Sequence, residues 1–146
     1  MALVGVRIDP LAGCSSCDSV CLDEFVVSGI TDRTVDQLSG ASVRVCFNDR
    51  CTTGTLGSPP DPSSTPIESA ELQVEITARV DHGATVVSAG IWGDGTSHAL
   101  QYHDGDSYIV SIVAASGATV LDATGTATYR TISICGSTCA AFTREL

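Results

Sequence analysis

The chain has 146 residues, a formal charge of −10 at neutral pH and an aromatic content of 5%. All seven basic residues are arginines, which excludes chemistry that needs a lysine amine, from Schiff bases to phosphate-loop lysines. The acidic balance and the scattering of the arginines exclude the clustered cations that nucleic acid needs, and no apolar run reaches the roughly 18 residues of a membrane helix.

A chain of this length buries a hydrophobic core within one domain. The pattern divides it into a Cys-rich N-terminal segment, 1–23, and a single β domain, 24–146. Residues 14–23, with Cys14, Cys17 and Cys21, are too polar and turn-rich for a core element. A first strand is predicted over 24–30, where Phe25, Val27 and Gly29 alternate with Val26 and Ser28. Residues 31–40 form a polar connection in which Val35 and Leu38 make a short turn that caps the core. The second strand, 41–48, carries Val43, Val45 and Phe47 on one face and Ser42, Arg44 and Cys46 on the other. Asn48 and Asp49 both tolerate positive φ, which suits a two-residue type I′ turn. That turn makes 46/51 a non-hydrogen-bonded pair, where side chains approach most closely, so a Cys46–Cys51 disulfide is predicted.

Residues 57–66 hold four of the five prolines and read as an exposed loop. Strict alternation over 71–80 (Leu72, Val74, Ile76, Ala78, Val80) marks an antiparallel strand with one buried and one wet face. Asp81-His82-Gly83 turns the chain into a returning strand, 84–92, and Gly93–Thr96 turns it again into a short strand over 97–103. A strand over 106–115 follows. Beyond Ser116-Gly117 a long strand runs from 118 to 134, bulged or bent at Gly125. About seven to nine strands joined by frequent turns describe an all-β antiparallel sandwich with disulfides.

Two stretches resemble known families. Asp104-Gly105-Asp106-Ser107-Tyr108-Ile109-Val110, with Leu100 before it, resembles the Asp-x-(Ala/Gly)-x-Tyr-x-Cys strand of immunoglobulin-like domains and, more broadly, immunoglobulin, fibronectin and prealbumin-like sandwiches. The resemblance implies structural roles for Asp104 and Tyr108. The Tyr108 ring would lie in the core and its hydroxyl would bond to backbone, as in a tyrosine corner. Asp106 stands where that family has a small residue and Val110 where it has Cys, so an antibody-type inter-sheet disulfide is not implied. Leu11-Ala12-Gly13-Cys14 is similar to a bacterial lipobox, which implies that Cys14 is lipidated and becomes the first residue of the mature chain. Arg7, Asp9 and Pro10 interrupt the apolar run that precedes such a box in that family.

With Cys14 set aside, six sulfurs remain. Cys46 and Cys51 form one bridge; Cys17, Cys21, Cys135 and Cys139 pair either locally or across the chain. Bridges of this kind belong to an oxidising compartment, so the expected location is the bacterial cell envelope or the exterior. Four thiolates from Cys14, Cys17, Cys135 and Cys139 form an alternative zinc set. Asp94, Asp104 and Asp106 lie in Gly-containing loops, but no Asp-x-Asp-x-Asp series or bidentate Glu at the needed offset supports a calcium site. His98 and His103 fall on opposite faces of a short strand, against joint ligation. No Gly-x-Ser-x-Gly occurs, and no helix follows Cys14-x-x-Cys17 to activate a thiol. The resulting expectation is a non-catalytic, cofactor-free surface module with a binding or structural role. Its partner is a protein, a glycan or a further copy of itself, and it meets the membrane only through a lipid on Cys14. The alternatives are an assembly subunit of a phage or particle with an ordered N-terminal arm, and a zinc-binding protein or metal-dependent enzyme.

Overall fold

The computed structural model describes residues 23–57, 64–68, 72–93, 102–134 and 136–146. Among them run ten strands and one short 3₁₀ turn. The first half comprises β1 (Glu24–Thr31), the 3₁₀ turn (Asp36–Leu38), β2 (Ser42–Phe47), β3 (Arg50–Thr55), β4 (Ser64–Glu68) and β5 (Gln73–Asp81). The second half comprises β6 (Ala84–Gly93), β7 (Ser107–Val113), β8 (Thr119–Thr126), β9 (Arg130–Ile134) and β10 (Ser137–Glu145). They form a six-stranded sheet, β4-β5-β6-β1-β10-β9, and a four-stranded sheet, β3-β2-β7-β8. Every pairing is antiparallel except β1 with β10, which is parallel.

The all-β sandwich predicted from period-2 alternation is the architecture found. Val74, Ile76 and Ala78 are buried on β5, while Gln73, Glu75 and Thr77 lie half-buried on the opposite face. The same rule turns Val43, Val45 and Phe47 of β2, and Tyr108, Val110 and Ile112 of β7, into one core with Phe25 and Val27. Leu38 of the 3₁₀ turn is fully buried under this core, the capping role expected of it.

Cys46 and Cys51 stand opposite one another in the β2–β3 ladder and are joined, with Cα atoms 4.0 Å apart. The bridge was predicted together with a type I′ turn, and that turn is not formed. Asn48 alone takes positive φ (54°) in this hairpin. Its backbone N–H donates to the Ser107 carbonyl at 2.8 Å, so contact with β7 decides its conformation. Positive φ at both central residues occurs instead at His82 (49°) and Gly83 (83°), in the β5–β6 turn.

Three further expectations are corrected. Part of the Pro-rich 57–66 stretch is strand: β4 starts at Ser64, and Pro66 lies opposite Glu75 on the edge of the sheet, where a missing N–H is tolerated. The long strand over 118–134 is two strands in different sheets, β8 and β9, because the chain crosses between layers at 127–129. The bulge in β8 falls near Val120, where pairing shifts between Leu121 and Thr119, whereas Gly125 pairs regularly with Tyr108. A second shift, between Gln73 and Val74, leaves Trp92 as the extra residue of β6. The strand expected over 97–103 lies mostly outside the described residues.

Phe25 sits at the crossing of the sheets, its ring centroid 4.8 to 6.4 Å from those of Phe47, Tyr108, Tyr129 and Phe142. Phe25→Ala is expected to lower unfolding free energy by about 3–5 kcal/mol in urea titration. Ile30→Ala, at an exposed position of the same strand, is expected to stay within about 0.5 kcal/mol.

Candidate functional site

The densest set of polar side chains gathers at the end of the sandwich where β1 begins. Three pieces of chain build it: the β2–β3 turn, residues 102–106 before β7, and the crossing at 127–129. Asp106 is buried there (8% exposed), and a buried carboxylate needs donors. Its Oδ1 accepts from Asn48 Nδ2 at 3.1 Å; its Oδ2 accepts from the His103 backbone N–H at 2.8 Å and the Tyr129 hydroxyl at 3.1 Å. Asn48 completes the clasp by accepting from the Ser107 N–H at 2.9 Å through Oδ1. Gly105, at φ 94°, lets the chain fold tightly enough for its N–H to reach the Ala127 carbonyl, and Ala127 N–H returns to the Asp106 carbonyl, each at 2.8 Å. Asp104 accepts from the Tyr129 N–H at 2.8 Å.

Tyr102 and Tyr129 pack with ring centroids 5.2 Å apart. The Tyr102 hydroxyl donates to the Ile91 carbonyl at 2.8 Å, linking the cluster to β6. Burial pushes the Tyr102 pKa well above the ordinary tyrosine value, and the negative charges of Asp23 and Asp106 add to the effect. Tyr129 is raised likewise, first by burial, then by the charge of Asp106 and the hydrogen bond to it, with smaller effects from Tyr102 and Asp104.

Tyr108 meets only half of what its motif implies. The ring is buried and lies edge-on to Phe25, as a core tyrosine should. Its hydroxyl, however, accepts from Arg144 Nη1 of β10 at 2.5 Å rather than bonding to backbone. The reason is geometric. Tyr108 points from the four-stranded sheet toward the six-stranded one, and Arg144, beside Val27 on the inner face of β10, meets it. The same Nη1 donates to the Thr124 carbonyl at 3.2 Å, so Arg144 ties β10 to β8. Gly125 makes room for this: a Cβ there would lie 2.9 Å from the Tyr108 hydroxyl and 3.0 Å from Arg144 Nη1.

The remaining predicted site residues divide into two groups. Cys46 and Cys51 are bonded to each other, and Cys139 is also disulfide-bonded. Cys14, Cys17, Cys21 and Cys135, with Asp94 and His98, lie outside the described residues. Of the calcium candidates, Asp104 and Asp106 are engaged by backbone and side-chain donors. Among the described residues no three His, Cys, Asp or Glu side chains converge as a metal set would.

Sequence reading did not foresee Asn48, Tyr102, Tyr129 or Arg144 in these roles. Alternation along β10 offered one signal, because Phe142 and Arg144 share the face turned toward the core.

At the opposite end, the outer face of the six-stranded sheet carries a depression of about 240 Å³. Ser28, Ile30, Arg79, Val86, Ser88 and Leu146 help to line it. Ile30, on that face, is exposed at 68%; Val80, expected in the buried row of Val74, Ile76 and Ala78, is instead exposed at 67%.

Comparison with protein-family models, curated proteins and solved structures gives no match.

The raised tyrosines give stability a definite pH dependence. A phenol favoured in its neutral form in the folded state contributes stability that is full below its unfolded pKa, near 10, and lost as pH rises toward the folded value. Urea stability is expected to stay flat to about pH 9 and fall beyond about pH 10. Tyr102→Phe/Tyr129→Phe should flatten that fall. Asn48→Gly suits the positive φ yet removes the clasp, and a loss of about 1–2 kcal/mol in chemical denaturation is expected.

Proposed function

We propose that this chain is a non-catalytic, extracytoplasmic β-sandwich module that acts by binding or structural support, either secreted or held to a bacterial membrane by a lipid on Cys14. The single observation that carries the reading is oxidation. Cys46 and Cys51 are bridged across a hairpin, and Cys139 is bridged as well. Cytosolic thiols are kept reduced, so a β domain fastened in this way suits an oxidising compartment. The absence of lysine and the charge of −10 fit an exposed, soluble surface. The polar cluster around Asp106 supports the non-catalytic part, since its carboxylate oxygens already accept donors that hold three chain segments together. A chemical step would have to break that clasp.

For the contact surface, the reading favours the outer face of the six-stranded sheet near Ile30, Arg79 and Val86, where apolar and polar side chains border a shallow depression. A protein surface or a glycan is the class of partner such a face accommodates. The exposed Ile30 also favours a second reading, in which the same face packs against another copy in an assembly.

Intact-mass measurement of the protein from a bacterial envelope fraction tests the reading. The expected product begins at Cys14, carries one diacylglyceryl group and gains hydrogens on reduction; Cys14→Ser should then shift the chain to the soluble fraction. A secreted chain with its bridges but no lipid would support the module without its anchor. Free thiols throughout would overturn the proposal, and a discrete multimer by light scattering would favour assembly.

A further inference from the structure

The outer face of the six-stranded sheet is laid out in short rows that run across β5, β6 and β1. Register places Glu75, Gly90 and Val26 side by side, then Thr77, Ser88 and Ser28, then Arg79, Val86 and Ile30. These residues point away from the core, because they alternate with Ile76, Ala78, Val87, Ala89 and Val27, which belong to it. The middle row carries short polar side chains, and the rows on either side of it differ. The first has a carboxylate and, at Gly90, no side chain, so a hollow of about 90 Å³ opens among Val26, Glu75, Thr77 and Ser88. The third has a guanidinium and two branched aliphatic side chains, with Ile30 largely exposed. Among the described residues Arg79 has no carboxylate partner.

A two-fold axis along the middle row turns these differences into complementarity. When a second copy packs on the face about that axis, the strands of the two copies run antiparallel. The first row of each copy then lies over the third row of the other. Arg79 meets Glu75 of the partner subunit, Val86 stands over the hollow at Gly90 of the partner subunit, and Ile30 packs on Val26 of the partner subunit. Each of these contacts occurs twice, and the short polar side chains of the middle row meet their own counterparts. The other axis in the plane of the face, along β6, would lay β5 on β1 of the second copy. Arg79 would then press on an aliphatic side chain with no counter-charge. Glu75 has a further contact within its own chain, and the pairing uses its charge, not a free carboxylate.

We propose that this face is the interface of a symmetric homodimer, with Glu75–Arg79, Gly90–Val86 and Val26–Ile30 as its paired contacts; this deepens, and rests on, the second reading above. The rows cover a patch roughly 15 Å on a side, well below the about 800 Å² per partner of a standard interface. Glu145, in line with the middle row on β10, meets its own counterpart at the rim, a repulsion that salt screens. The dimer therefore belongs to the weak class that dissociates on dilution.

Sedimentation velocity of the full, oxidised chain from about 10 μM to about 1 mM tests the pairing. A monomer–dimer equilibrium is expected, weakened about tenfold or more by Ile30→Asp and by Arg79→Glu. Both positions are exposed, so the fold is retained, with circular dichroism as the check. Glu75→Arg should weaken it likewise. Charge reversal separates this geometry from any other: the R79E and E75R chains, each self-repelling, should pair with one another when mixed. The E75R/R79E chain should self-associate again. A monomer at every concentration overturns the inference, as does a dimer indifferent to these substitutions, or folded R79E and E75R chains that stay apart. Binding of a glycan or another protein on this face by a chain that remains monomeric overturns it too. None of these outcomes bears on the bridges or the lipid, which intact mass reads separately, so the dimer and the extracytoplasmic module can fail independently.

Discussion

Phe25 holds a position on which both layers depend. Every phenylalanine and tyrosine of the chain, three of each, takes part in one connected set of ring contacts, with Phe25 against Phe47, Tyr108, Tyr129 and Phe142. Phe47 and Tyr108 belong to the four-stranded sheet, Phe25 and Phe142 to the six-stranded one. In a core otherwise filled by aliphatic residues, these rings supply large buried surfaces where the layers meet at one end.

The tyrosines turn this apolar contact into an ordered polar boundary. Each places its ring among the aromatics and its hydroxyl on a fixed partner: the Ile91 carbonyl for Tyr102, Arg144 for Tyr108 and Asp106 for Tyr129. Those partners lie on different strands, so the hydroxyls define how the layers and connections sit against one another. Asp106 is tolerated in a nearly water-free position because Asn48, His103 and Tyr129 satisfy it. The same carboxylate disfavours ionisation of the phenols beside it.

What could be read from the chain follows a physical line. Alternation is a property of single strands, so the inward residues of β2, β5 and β7 and the 46/51 bridge were visible in the sequence. Features set by a neighbouring layer were not. Asn48 has the residue type of a type I′ turn, but its amide and side chain answer to β7. Residues 118–134 read as one strand because a crossing between sheets needs no glycine or proline when Asp104 and Asp106 supply its partners. Gly125 carried a real signal, a missing side chain; its cause is the approach of Tyr108 and Arg144 rather than a bulge. The polar end cluster was half visible: the motif marked Asp104 and Tyr108, but the residues meeting them come from distant parts of the chain.

The parallel pairing of β1 with β10 has a mechanical consequence. Glu24 lies beside Ala141 and Ser28 beside Glu145, so the chain preceding β1 and the chain following β10 depart from opposite ends of the sandwich. The length of β1 sets these exits roughly 25 Å apart. Tension applied at the strand ends themselves, Glu24 and Glu145, runs along the strands and loads the β1–β10 hydrogen bonds together, in shear, instead of peeling them one after another. Two strands that face the same way thus give the domain the geometry of a link in a chain under load.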